Sequence, residues 1–86
     1  MDINELIAII KKKLLDKVYI ENIKIEDKSF LHKNHTGNQK GKFHLKITLK
    51  STELQNMNKI ESNKKIFKIL DKEMKEFIHS IQISII

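Results

Sequence analysis

Apolar residues recur first at helical and then at strand intervals along this chain. Ile3, Leu6, Ile7, Ile10 and Leu14 share one face of a helix. Asp2-Ile3-Asn4-Glu5 has the spacing of a capping box, so the pattern predicts an amphipathic helix from about residue 3 to 16. Lys11, Lys12, Lys13 and Lys17 crowd its last turn, where cations suit the helix dipole. The segment from Val18 to Glu26 is rich in β-branched residues and sets Ile23 and Ile25 against Asn22, Lys24 and Glu26, the alternation of a strand. A second strand runs from Phe43 to Lys50. There Phe43, Leu45, Ile47 and Leu49 face inward, and His44, Lys46, Thr48 and Lys50 face outward.

Ser51 can cap a short helical turn around Thr52 to Met57, and a further start signal stands at Glu61-Ser62-Asn63. Ile66, Ile69, Leu70, Met74 and Phe77 keep helical spacing after it, which predicts a helix from about residue 62 to 75. The chain closes with IHSIQISII, where His79, Ile81, Ile83 and Ile85 share the inward parity of a third strand. The order α-β-β-α-α-β predicts a single α+β domain over residues 1–86. The second strand is antiparallel to the first if the two form a long-looped hairpin. A right-handed crossover through the helices sets the third strand parallel to the second, giving a three-stranded mixed sheet with helices on one face.

Between the first two strands lies DKSFLHKNHTGNQKGK, residues 27–42, which has neither period and holds both glycines. It reads as an exposed loop, and connections above about 12 residues in a compact domain are often functional.

Composition narrows the chemistry. A chain of 86 residues has a thin core and room for one domain. Cysteine is absent, which excludes disulfides and a thiol nucleophile and leaves histidine and carboxylate as metal ligands. No apolar run approaches the roughly 18 residues of a membrane span, and the N-terminus lacks a signal-peptide layout, so a cytoplasmic protein is expected. The net charge of +6 invites a nucleic-acid partner, with Lys64, Lys65, Lys68 and Lys72 as the candidate contacts. All basic residues are lysine, however, and the bidentate contacts to guanine and phosphate are made by arginine. The abundance of Ile, Lys and Asn also matches an A/T-rich coding composition.

Signatures of catalysis are missing. Gly37 and Gly41 make no phosphate-binding loop, there is no H-E-x-x-H, and no serine stands in a nucleophile elbow. The chain is therefore expected not to be an enzyme. Four histidines remain. His44 reads as a surface residue on an outward strand position. His32 and His35 form H-x-x-H in the loop, weak on its own as a metal pair. Periodicity alone makes His79 a partly buried structural histidine at the head of the last strand.

The run HLKITLKSTEL from 44 to 54, the helix from Ser62 to Met74 with Phe67 at an aromatic position, and FIHSIQIS from Phe77 to Ser84 together resemble the BolA family. Asp27-x-Ser29-x-x-His32 is similar to the end of that family's first strand and its following loop. One departure stands at Ser62-Asn63-Lys64, where many members carry an R-H-R-like triplet, and it puts in doubt any role of that helix start. The resemblance implies a class II KH-like fold. It also implies a monothiol glutaredoxin partner, the protein being a monomer alone and a heterodimer with that partner. It further implies a [2Fe-2S] cluster shared with the cysteines of glutaredoxin and glutathione. Carried over, His79 is the matched ligand, with His32 the best loop companion and His35 close behind.

Imidazole suits iron, and exchanging thiolate for histidine raises cluster potential. Two other readings stand beside this adaptor role. One is a nucleic-acid-binding regulator that uses the KH-like fold and the lysine face, although the spacing G-N-Q-K-G between strands is not the G-x-x-G clamp of KH domains. The other is a structural module that binds a protein through its open sheet face or edge.

Overall fold

The computed structural model describes residues 1–29 and 42–86. Helix α1 spans Ile3–Lys17, followed by β1 (Asn22–Asp27), β2 (Phe43–Lys50), α2 (Thr52–Gln55), α3 (Lys59–Ile69), α4 (Asp71–Glu76) and β3 (Ile78–Ile85). The sheet order is β1-β2-β3, with β1 antiparallel and β3 parallel to β2. This is the expected single α+β domain with a mixed sheet. The loop read over residues 27–42 lies largely outside the described residues.

Helix α1 starts where the sequence places it, because the Asp2 carboxylate accepts the backbone N–H of Glu5 at 2.8 Å. Its buried stripe is Leu6, Ile10 and Leu14. These side chains meet Leu45, Ile47 and Leu49 of β2, Ile66 of α3, Leu70 and Ile78 in one core. The opposite face of the sheet carries Lys24, Glu26, Lys46, Thr48 and Gln82 in alternation with that core set.

Two boundaries differ from the sequence reading. The first strand begins at Asn22, not Val18, because the backbone before it is held by side chains of another segment. The N–H of Tyr19 donates to Glu53, and the carbonyl of Tyr19 accepts from Ser51 Oγ. The helix expected over 62–75 begins at Lys59 under a cap formed by Asn58, whose side chain both accepts from Glu61 N–H and donates to Glu61 Oε1. It is then interrupted at Leu70, whose φ and ψ of −98° and 19° end α3 and start α4 with no side-chain cap. Apolar spacing runs through Leu70 unbroken, so periodicity alone merges the two helices.

Candidate functional site

Strands β2 and β3 run in parallel register from Leu45 opposite Ile81 to Leu49 opposite Ile85. At their start the register slips. Phe43 faces Ile78 while His44 faces Ser80, so His79 is an extra residue with no counterpart on β2. Such a bulge re-aims a side chain while the rest of the strand keeps its pairing. It also lets both Ile78 and Ile81 point at the core, three residues apart, with Ile78 2 % exposed.

The bulge corrects the parity read from the sequence. His79 does not face the core with Ile81, Ile83 and Ile85; it is exposed. His44 is corrected as well. It lies on the outward side of β2 as the alternation requires, yet it is only 7 % exposed. Its backbone N–H donates to Ser29 Oγ at 3.0 Å, and its carbonyl accepts from Lys28 N–H at 2.7 Å. The chain leaving β1 is thus fastened beside it.

The two rings meet edge to face, with centroids 4.7 Å apart and planes at 73°. His79 Nδ1 lies 3.1 Å from His44 Nε2, and His44 Nδ1 lies 2.7 Å from Ser80 Oγ. These contacts form a short chain, His79 to His44 to Ser80. Among the described residues no hydrogen bond engages His79 Nε2. A shallow depression of about 400 Å³ adjoins this corner on the open sheet face, lined by Lys28, His44, Lys46, Ser80 and Gln82 among others. Nearby, the Lys28 ammonium bonds to Glu26 at 2.8 Å and, with the charge of Lys24, holds that carboxyl below its ordinary 4.5 against some desolvation.

Of the residues singled out in the sequence, His79 occupies this corner, and His32 and His35 lie outside the described residues. Lys64, Lys68 and Lys72 are exposed on α3 and α4, in the helical layer. Lys65 is engaged by Glu53 of α2 at 2.9 Å. The structure joins His44 and Ser80 to His79, a grouping that alternation alone did not suggest. The signal was present in the pair Ile78 and Ile81: two apolar residues at odd spacing on one strand face require one extra residue between them. No group of three or more potential metal ligands occurs among the described residues.

Fold and corner together define a small α+β domain in which helix, hairpin and helices lead to a parallel edge strand that opens on a bulged histidine. A family model described as BolA-like protein matches residues 14–86, and the chain belongs to that family. Solved structures share the fold. The BolA domain of SufE1 from Arabidopsis thaliana superposes with a TM-score of 0.75 at 22% identity, over 91% of this chain and 86% of that one. BolA1 from Arabidopsis thaliana gives 0.74 at 21% identity, over 91% and 86%. A bol-like protein from Babesia bovis gives 0.70 at 13% identity, over 92% and 80%. No curated protein matches the sequence. Among the described residues no helix is long and apolar enough to cross a membrane.

Proposed function

We propose that this protein is an adaptor that pairs with a monothiol glutaredoxin and contributes histidine ligands to a shared [2Fe-2S] cluster. The observation that carries the reading is the presentation of His79. It is exposed on a bulge, its Nδ1 is occupied by His44, and among the described residues no hydrogen bond engages its Nε2. Metal-bound histidines usually have the second ring nitrogen hydrogen-bonded in this way, which fixes the ring and its tautomer.

The donor set fits the group. Imidazole nitrogen is a competent ligand for iron, and the chain has no cysteine, so every thiolate must come from the partner and from glutathione. When bound, such a cluster supplies an iron–sulfur centre whose potential is raised by histidine ligation. This chain would hold it through His79, with His32 or His35 as the second ligand. Mixing the protein with a cluster-loaded monothiol glutaredoxin tests the reading. The visible absorption and circular dichroism are expected to change, with co-elution of the two proteins, and His79→Ala is expected to abolish the change. An unaltered spectrum without co-elution would sink the proposal.

The nucleic-acid alternative draws on exposed Lys64, Lys68 and Lys72. Their contacts would be phosphate contacts, and Lys65 is already committed to Glu53. Binding to duplex DNA that disappears above about 100 mM salt would mark generic charge attraction, and sequence preference at physiological salt would favour a regulator.

A further inference from the structure

We infer that His44 is a positioning residue for His79: through its Nε2 it sets which nitrogen of the His79 ring faces a metal, and Ser80 sets His44 in turn. The inference deepens the proposed function and rests on the reading of His79 as a ligand.

A neutral imidazole carries one N–H, and it binds metal through the other nitrogen. If His79 offers Nε2 to a metal, its proton is on Nδ1, and the only acceptor that Nδ1 meets among the described residues is His44 Nε2, 3.1 Å away. His44 Nε2 must then carry no proton, which puts the His44 proton on Nδ1, where it donates to Ser80 Oγ at 2.7 Å. Ser80 is exposed, and its hydroxyl can donate a hydrogen bond to solvent. One direction of donation along the three residues is therefore compatible with a metal on Nε2. Running the donation the other way places a proton on His79 Nε2 and blocks it.

Burial gives the device its rigidity. His44 sits on a paired central strand at 7 % exposure, with its backbone bonded on both sides to Ser29 and Lys28, so its ring is a fixed reference for the bulged residue. His79 has no Cα partner on β2, because the bulge removes it from that register. The edge-to-face ring contact offers a second explanation, in which His44 serves only as packing.

Two substitutions separate these roles. His44→Phe keeps an aromatic ring and removes the acceptor, whereas His44→Gln removes the ring and supplies an amide oxygen. Ring ¹⁵N spectra of the protein alone, with the amide spectrum confirming the fold, read His79 directly. Its ring resonances are expected to move in His44→Phe and to return toward the wild-type positions in His44→Gln. In the glutaredoxin complex, cluster affinity is expected to fall about 10- to 100-fold in His44→Phe and to recover in His44→Gln.

The reverse order, with Phe tolerated and Gln not, overturns the inference in favour of packing. Unmoved His79 resonances in both variants overturn it too. Ser80→Ala provides the same test at an exposed site, should the buried position not accept phenylalanine, and a His79 resonance shift there supports the relay. A wild-type complex that holds no cluster overturns the adaptor reading instead, and the ring spectra of the protein alone still decide the role of His44.

Discussion

Lys13 Nζ on α1 lies 2.6 Å from Glu73 Oε2 on α4, joining two helices 60 residues apart in sequence. The pair is unequal. The Glu73 side chain is 4 % exposed and the Lys13 side chain 38 %. Glu73 Oε1 is buried and meets no donor among the described residues. Removing the lysine therefore leaves a buried carboxylate with no cation against it, while removing the carboxylate leaves a lysine that can turn to water. Lys13→Ala is expected to destabilise the protein by about 1–3 kcal/mol, short of the cost for a fully buried pair because Lys13 is partly solvated. Glu73→Met, of similar volume, is expected to be close to neutral. Urea denaturation of the two variants checks the asymmetry, and equal losses would refute it.

Ser51 supplies the second stability test. It is fully buried, its Oγ accepts Leu54 N–H at 3.2 Å as the cap of α2, and the same hydroxyl donates to the carbonyl of Tyr19 at 2.7 Å. One side chain thereby closes α2 and fixes the turn between α1 and β1. Ser51→Ala removes both bonds of a buried hydroxyl, and a loss of about 2 kcal/mol is expected. Asn58→Ala opens the exposed cap of α3, where solvent can substitute, and a loss of about 1 kcal/mol is expected. The difference should appear as a lower urea midpoint for Ser51→Ala at an unchanged slope.

Acid sensitivity follows from Glu53. The hydrogen bond from Lys65, then that from the Tyr19 N–H, lower its pKa from the ordinary 4.5. Glu26 is lowered in the same sense, mainly by Lys28. A folded-state pKa below the unfolded value means that the unfolded chain binds protons first as pH falls. The contribution is complete above 4.5 and is lost as pH drops through the folded-state pKa. Thermal melts taken downward from pH 6 are thus expected to hold steady to about pH 5 and then decline. Glu53→Gln should lessen the decline, and a variant with the wild-type acid slope would count against the assignment.

The sequence made the architecture legible because each element buries one periodic face. The spacing of Leu6, Ile10 and Leu14, and the alternation of Leu45, Ile47 and Leu49, point to the core that forms. What it concealed arises where backbone geometry breaks the period. Leu70 interrupts a helix whose apolar spacing continues, and the Asn58 cap lies before the stretch in which the helical period is apparent. At the candidate site the single added residue at His79 reverses its face, and burial of an outward residue, His44, depends on contacts that alternation does not encode. The histidine itself was legible from family resemblance, but its support was not, since His44 and His79 meet only once β2 and β3 are paired.

Chemical redundancy separates the loop histidines from His79. His32 and His35 have the same side chain and stand three positions apart, so two residues compete for one coordination position under the proposed function. Loss of either one leaves the other, whereas no second histidine occurs on β3 to replace His79. His32→Ala and His35→Ala alone are each expected to shorten the half-life of the glutaredoxin-bound cluster only a few-fold. The double variant, like His79→Ala, is expected to exceed the roughly 10- to 100-fold effect typical of changes outside the ligand shell. Decay of visible absorption under anaerobic conditions, followed for the four variants against wild type, measures this. A single loop substitution as severe as the double would assign the second ligand to that residue alone, and a harmless double substitution would remove the loop from the ligand set.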